Sequence, residues 1–414
     1  MAREPGRRER RSALIGSRHF LATASVACSL AACSLLVDTG GLSARSDAAT
    51  PDDGSTAADG STPVDGDAGL DGSSIILGPP PGCGNDGGAG LSTCGPDGGS
   101  SCCERPLVAA EASFRRCADN VGDPVANPTR LDQDNCCAGA TLSSFALDRF
   151  EVTVARFRRF AEAFAAGWRP QATSGKHAHL NEGKGLALLP LGTFESGWSL
   201  AWSDVLVAAQ TSRSAHASCP GSNWTDGPGA MDSHPINCIS WYEATAFCIW
   251  DGGFLPSFAE WNYAASGGSQ VSEKGERAYP WSSPGYSLSI DCAHANFGGE
   301  AFPGTACEDA GPSAIGRSSP AGSRSPAGDG RFGQADLAGN VAEWLFDRDG
   351  ALYTPCLDCA VDSNETPLRL AHGGSFASTS RQLRTKYIKT ATYRGGLAPE
   401  TQSASIGFRC ARVP

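Results

Sequence analysis

Neither a long apolar run nor a concentrated basic surface occurs in this chain of 414 residues. The most apolar stretch, Phe20 to Ala32, is well short of the ~20 residues that a spanning helix needs, which argues against a permanent transmembrane anchor there. Positive charge gathers only at the extreme N-terminus, between Arg3 and Arg18, and the formal net charge is -11. A phosphate backbone needs a basic surface to bind, so nucleic acid is not an expected partner. Sustained helical periodicity is scarce as well, and none continues from Gly268 to the C-terminus. With 51 Gly and 26 Pro beside 9 Trp and 17 Phe, the chain reads as loop-rich, its core carried by large aromatics where regular elements are short.

What is present at the N-terminus is an arginine-rich stretch, then the apolar segment from Phe20, then Leu30-Ala31-Ala32-Cys33. This is the layout of a signal peptide ending in a lipobox, which makes 1–33 the expected signal and Cys33 the expected lipidation site. Ser34, in place of an aspartate, leans toward the outer membrane. Residues 34–100 are mostly Gly, Asp, Ser, Thr, Ala and Pro, with eight Asp between Asp38 and Asp71 and Arg45 the only base there. Such a segment cannot bury a core and is expected to be a solvated tether. The chain has 17 cysteines. Export turns the expectation for these from metal ligation to disulfides. With Cys28 removed and Cys33 lipidated, an odd number remains, so at least one thiol stays unpaired in a monomer. The lead-in, residues 101–139, together with Cys83 and Cys94 just before it, is Cys-dense and has no interleaved His, which points to a disulfide-stapled cap. Neighbours such as Cys102-Cys103 and Cys136-Cys137 should each reach a different partner.

The texture changes near residue 140, and 140–414 is the expected globular domain. Phe145-Ala-Leu-Asp-Arg-Phe-Glu-Val alternates like a strand, after which Thr153 can cap a helix with Val154, Phe157, Phe160, Ala161 and Phe164 on one face. Ser240-Trp-Tyr-Glu243 and Ser257-Phe-Ala-Glu260 are capping boxes, and the helices they open stop at Gly252-Gly253 and Gly267-Gly268. His177-Ala-His179 would set two imidazoles on one side of a strand, a possible metal pair. Without a third ligand it reads as an exposed loop pair.

Six sequence blocks then carry a family resemblance. They are His234-Pro-Ile-Asn-Cys-Ile-Ser-Trp-Tyr-Glu with the rest of its helix, Phe254-Leu-Pro-Ser-Phe-Ala-Glu-Trp, Tyr279-Pro-Trp, Asp336-Leu-Ala-Gly-Asn-Val-Ala-Glu-Trp, Ala371-His-Gly-Gly-Ser-Phe, and Ile406-Gly-Phe-Arg-Cys. In this order they resemble the formylglycine-generating enzyme, or sulfatase-modifying factor, family, and Phe145 to Thr153 resembles its opening strand. The resemblance implies an irregular, loop-rich α+β fold related to C-type lectins, with few short helices.

In the formylglycine-generating members a substrate cysteine is oxidised with Cu(I) held by two thiolates just after the Gly-Gly-Ser block, soft ligands for a soft ion. Counted from Gly373, the resemblance puts those positions on Ser378 and Leu383, so copper is not expected. Ala342 replaces a tryptophan of the groove, and no Cys occurs between Cys359 and Cys410. The relatives that use iron carry a His-x-x-x-His-x-Glu pattern, which is absent here. The only reactive groups near the block are Ser375, Ser378, Ser380 and Arg381, weak catalytic candidates. The resemblance further implies structural calcium. One ion would take side-chain oxygens of Asp336 and Glu343 with the carbonyls of Gly339 and Val341; a second would take Asn296, the Phe297 carbonyl and Asp309. Hard Ca2+ favours such mixed oxygen sets. Of the family's two disulfides, Cys248–Cys410 carries over, whereas the other is replaced at Ala265 and near Ile388.

Two readings of function follow. The first is a lipid-anchored envelope protein whose domain binds a periplasmic or extracellular protein, peptide or glycan without catalysis. The second is an oxidoreductase of the family, acting on protein cysteine or using another metal.

Overall fold

The computed structural model describes residues 81–83, 93–110, 112–116, 139–190, 192–211, 213–269, 277–283, 287–298, 307, 317–350, 355–362, 366–385 and 396–414. The expected signal peptide, Cys33, most of the tether, Asp309, Cys117, Cys136 and Cys137 lie outside them.

Local sequence explains the three expected helices. Helix α1 (Val154–Ala165) starts where the Thr153 side chain accepts the Arg156 amide, and its apolar stripe of Val154, Phe157, Phe160, Ala161 and Phe164 is buried. Two shorter helices, α2 (Ser203–Thr211) and α3 (Arg213–Ser218), follow without having been expected. Helices α4 (Trp241–Trp250) and α5 (Phe258–Ser266) each have both halves of a capping box, Ser240 with Glu243 and Ser257 with Glu260. Helix α5 stops because Gly267 takes φ +74, a left-handed position that costs an L side chain about 1–2 kcal/mol. Among the described residues no α-helix follows Ser266.

The strands are short and form four three-stranded sheets. One has the order β1 (Leu107–Val108), β4 (Phe145–Leu147), β12 (Ala411–Arg412), and a second the order β10 (Arg369–His372), β7 (Ala342–Arg348), β11 (Ile406–Gly407). The third is β2 (Phe114–Arg115), β3 (Gly139–Thr141), β8 (Cys356–Leu357), and the fourth is β6 (Thr193–Phe194), β5 (Ala187–Leu189), β9 (Cys359–Val361). This is an irregular α+β fold. Strand β4 is shorter than the alternation predicts. The chain stays alongside the last segment through the Asp148 amide to the Cys410 carbonyl and the Val152 amide to the Phe408 carbonyl, but Asp148 and Glu151 are buried among polar partners instead of facing water.

The larger aromatic core surrounds α1 and α4. Phe157 stacks on Phe247 with centroids 5.8 Å apart and meets Trp224 and Phe408 edge-on, an arrangement worth about 0.5–1.5 kcal/mol per pair beyond area burial. Cys248–Cys410 closes this core across 162 residues. Cys83–Cys103, Cys94–Cys102, Cys219–Cys238, Cys292–Cys307 and Cys356–Cys359 complete the set, so every described cysteine is paired and adjacent Cys102 and Cys103 do reach different partners.

The folded unit begins before residue 100, earlier than composition suggests. The Gly82 amide donates to Asp251 Oδ1 at 2.7 Å, and the Cys102 carbonyl accepts Arg156 Nη1 at 3.2 Å. Both contacts end on a buried quartet in which Arg156 and Arg412 each pair with Asp148 and Asp251. Burial alone would push the Asp148 carboxyl up, but Arg412 and Arg156 more than offset it and hold it below the usual carboxylate range.

Candidate functional site

Gly373 and Gly374 follow strand β10, both at positive φ (+96 and +71), and turn the chain sharply into Ser375. A Cβ on Gly374 would lie 2.8 Å from Leu383 Cδ1 and 3.3 Å from Ser378 Cβ, so the fold sets Ser378 and Leu383 on either side of one glycine. These are the two positions that the resemblance gives to the copper ligands, and neither residue offers a thiolate. Leu383 is fully buried in a small cluster with Ala278, Tyr279, Ala295, Phe297, Cys307 and Ala338. The Ser378 hydroxyl accepts the Ser375 amide at 3.0 Å, and the two hydroxyls are 3.4 Å apart. Ser375 Oγ also accepts the Ala377 amide. The serines therefore build a turn and have no His, Asp or Glu among their described hydrogen-bond partners. Arg381 lies exposed on the following 3-10 turn, Ser380–Leu383.

The Asp336–Glu343 loop packs against this turn through the Gly339 amide to the Gly373 carbonyl and the Phe376 amide to the Asn340 carbonyl. Its chemistry departs from the expected calcium set. Glu343 accepts Arg409 Nη2 at 2.6 Å on Oε1, and Arg409 Nε at 2.8 Å and Trp261 Nε1 at 2.8 Å on Oε2. Its oxygens are committed to a buried guanidinium and an indole, which does not fit a role as calcium ligand. Asp336, in the left-handed region at φ +55, accepts the Gly322 amide at 2.5 Å; burial pushes its carboxyl up to about 6 against the pull of that amide and of Arg409. At the second expected site, Asn296 turns its Nδ2 inward to the Arg317 carbonyl, Ser319 Oγ and Asn340 Oδ1, while the Phe297 carbonyl accepts the Cys307 amide. Among the described residues no group of three or more His, Cys, Asp or Glu could hold a metal ion.

Two residues that hold this loop network were not singled out by sequence reasoning, although both stand in motifs that it quotes. Glu151 accepts Asn340 Nδ2 at 2.6 Å and the Val341 amide at 3.1 Å. Burial first, then Asp336 and Glu343, keep its carboxyl well above the ordinary value. Arg409, the arginine of the closing block, is the central cation, also donating to the carbonyls of Asp148, Arg149 and Ala335.

His177 and His179 do not form an exposed loop pair. His177 is fully buried, its Nδ1 2.9 Å from Glu195 Oε1 and its Nε2 3.2 Å from Glu260 Oε2, while its ring lies on Phe254 with centroids 3.7 Å apart. Burial would lower its pKa, but Glu195 and Glu260 raise it to about 10, so it is an imidazolium between two carboxylates. Half-buried His179 is instead held down by burial.

With this geometry in place, comparison with known proteins gives a direct result. The sulfatase-modifying factor enzyme 1-like domain (FGE-sulfatase) matches residues 119–414. The chain belongs to this family. It is 29% identical over 307 residues to a formylglycine-generating enzyme of Thermomonospora curvata, covering 70% of this chain and 89% of that protein. It is 26% identical over 301 residues to an inactive C-alpha-formylglycine-generating enzyme 2 of Bos taurus, covering 69% and 82%. Among solved structures it is similar to PvdO from Pseudomonas aeruginosa, at 18% identity and a TM-score of 0.43, covering 74% of this chain and 93% of that one. A relative named formylglycine-generating enzyme and one named inactive thus both align with this sulfatase-modifying factor domain, so its own residues have to decide the chemistry.

Proposed function

We propose that this domain is a member of the family without formylglycine-generating chemistry, serving as a binding module for a protein, peptide or glycan outside the cytoplasm. The observation that carries the reading is the pair flanking Gly374. At the two positions that the resemblance gives to soft copper donors, this chain has a hydroxyl committed to a backbone amide and a hydrocarbon sealed in the core. No described cysteine is a free thiol that could replace them. Six disulfides support folding in an oxidising compartment. An export signal with lipidation at Cys33 and an Asp-rich tether would hold the domain at the outer membrane. Structural calcium remains part of the family expectation, and the commitment of Glu343 to Arg409 weighs against it on the Asp336–Glu343 loop.

The test is incubation of the purified protein with a Cys-x-Pro-x-Arg peptide, with and without Cu(I). The expected result is no peptide lighter by about 18 mass units, the change for thiol-to-aldehyde conversion. Turnover that disappears in Ser378→Ala would replace the binding reading with an enzymatic one.

A further inference from the structure

Cys356-Leu-Asp-Cys359 is a C-x-x-C disulfide, with a sequence separation of 3 against 8 to 162 in the other five. Its surroundings differ from those of a plain staple. Arg116, only 2% exposed, directs Nη1 at Cys359 Sγ from 3.7 Å. A guanidinium gains little from a neutral disulfide sulfur, but it forms a charge-assisted contact with a thiolate and lowers the pKa of the thiol beside it. The charge is therefore placed to favour the reduced state, and stabilising the reduced form is what makes a disulfide a strong oxidant.

The backbone holds both cysteines in place whether or not they are bonded. Cys356 lies on β8, paired with β3, and Cys359 on β9, paired with β5, so neighbouring sheets fix the two ends of the motif. Between them Asp358 adopts φ +43, and its carboxylate accepts the Ser143 amide at 2.6 Å and the Ser143 hydroxyl at 2.8 Å. Closing so short a loop also removes little chain entropy, so cleavage costs the fold far less than opening Cys248–Cys410 would. Both cysteines are buried, and of the two Cys356 lies nearer the surface. Cys359 is 1% exposed, whereas Cys356 is 5% exposed and is followed by Leu357, which is 62% exposed.

We propose that Cys356–Cys359 is a redox-active disulfide that oxidises a protein dithiol. One substrate thiolate attacks Cys356 Sγ; the Cys356–Cys359 bond breaks, and Cys359 leaves as a thiolate facing Arg116. The second substrate thiol, having lost its proton to solvent, attacks the substrate sulfur of the mixed disulfide. Cys356 is released and takes up a proton. The substrate has become a disulfide, two electrons rest on Cys356 and Cys359, and no further reactant is consumed. This activity is independent of the Gly374 groove.

The experiment equilibrates the whole purified protein in graded reduced and oxidised glutathione, quenches by alkylation, and reads each cysteine pair by peptide mass spectrometry. Cys356 and Cys359 are expected to become alkylated at a reduced-to-oxidised ratio at least tenfold lower than Cys248 and Cys410 require. Arg116→Met should move that ratio about tenfold toward the reducing side while Cys248–Cys410 is unchanged, and Arg116→Lys should restore most of it. Should Arg116→Met fail to fold, the unsubstituted protein still decides. One equivalent of dithiothreitol should be oxidised per chain with the label appearing on Cys356 and Cys359 first, and Cys356→Ala should abolish that first equivalent. Reduction of this pair only together with Cys248–Cys410, or an Arg116→Met ratio equal to that of the parent, would overturn the proposal.

Discussion

Arg409 lies across the carboxylate of Glu343, with Nε 2.8 Å from one oxygen and Nη2 2.6 Å from the other, and both side chains are sealed from solvent. A buried pair of this kind contributes little over a well-packed apolar alternative, yet losing one partner leaves the other charged and dry. Glu343→Gln is therefore expected to cost about 3–5 kcal/mol, measured by urea unfolding. Glu343→Gln together with Arg409→Met should recover part of that loss, since Arg409 is no longer left without its carboxylate, while the loss of the same cation beside Asp336 limits the recovery.

The same pairing gives an expectation for chelation. An ion bound only by the folded state would stabilise it by about 2.7 kcal/mol at a hundredfold excess over Kd. With Glu343 committed to Arg409, EGTA should leave the melting midpoint where it stands in calcium. A fall in EGTA that disappears in Asp336→Ala would show the ion to be present on the Asp336–Glu343 loop after all.

His177 gives a pH dependence of definite sign. Its folded pKa is raised to about 10 from 6.5, so the stability it supplies is fully present below about 6.5 and is lost as pH rises through 10. Glu260 acts at the other end. Burial would raise its carboxyl, but His177 and the Ser257 contacts lower it, so its contribution is present above the ordinary carboxylate range and falls away in acid. Thermal melts from pH 5 to 10 should show an alkaline decline that is much reduced in His177→Gln, whose midpoint at neutral pH is already lower. An identical alkaline profile in parent and variant would remove His177 from the account.

At the groove, Leu383 and Ser378 are expected to behave as scaffold. Leu383→Ala should cost about 2–5 kcal/mol through the cavity it opens, and Ser378→Ala only about 0.5–1.5 kcal/mol through one lost hydrogen bond. Chemical unfolding of the two variants tests this contrast. Equal and negligible costs would mean that the turn is held by something other than these contacts.

How much of this was legible in the sequence depended on distance along the chain. The capping boxes at Ser240 and Ser257 span three residues each, and the structure has both. The Cys248–Cys410 pair spans 162 residues and came only through the family resemblance. His177 illustrates what stayed hidden. Its partners come from a separate segment, at Glu195, and from a helix cap, at Glu260, whose carboxylate has a local duty that fully accounts for it in sequence terms. Glu343 was read through the resemblance as a calcium ligand and not as a salt-bridge partner, because Arg409 reaches it from 66 residues away. Ser378 and Leu383 lie four and nine residues beyond Gly374 and both pack against it, a proximity that short chain separation makes easy.

The Asp148, Arg156, Asp251 and Arg412 quartet joins early and late parts of the molecule, since the Gly82 amide reaches it from one side and β12 supplies Arg412 from the other. Until the segment carrying Arg412 has been synthesised, two buried carboxylates share a single cation, and β4 lacks one of its two neighbours. Closure of the core therefore waits on one short segment, which brings Arg412 to the quartet and Cys410 to Cys248.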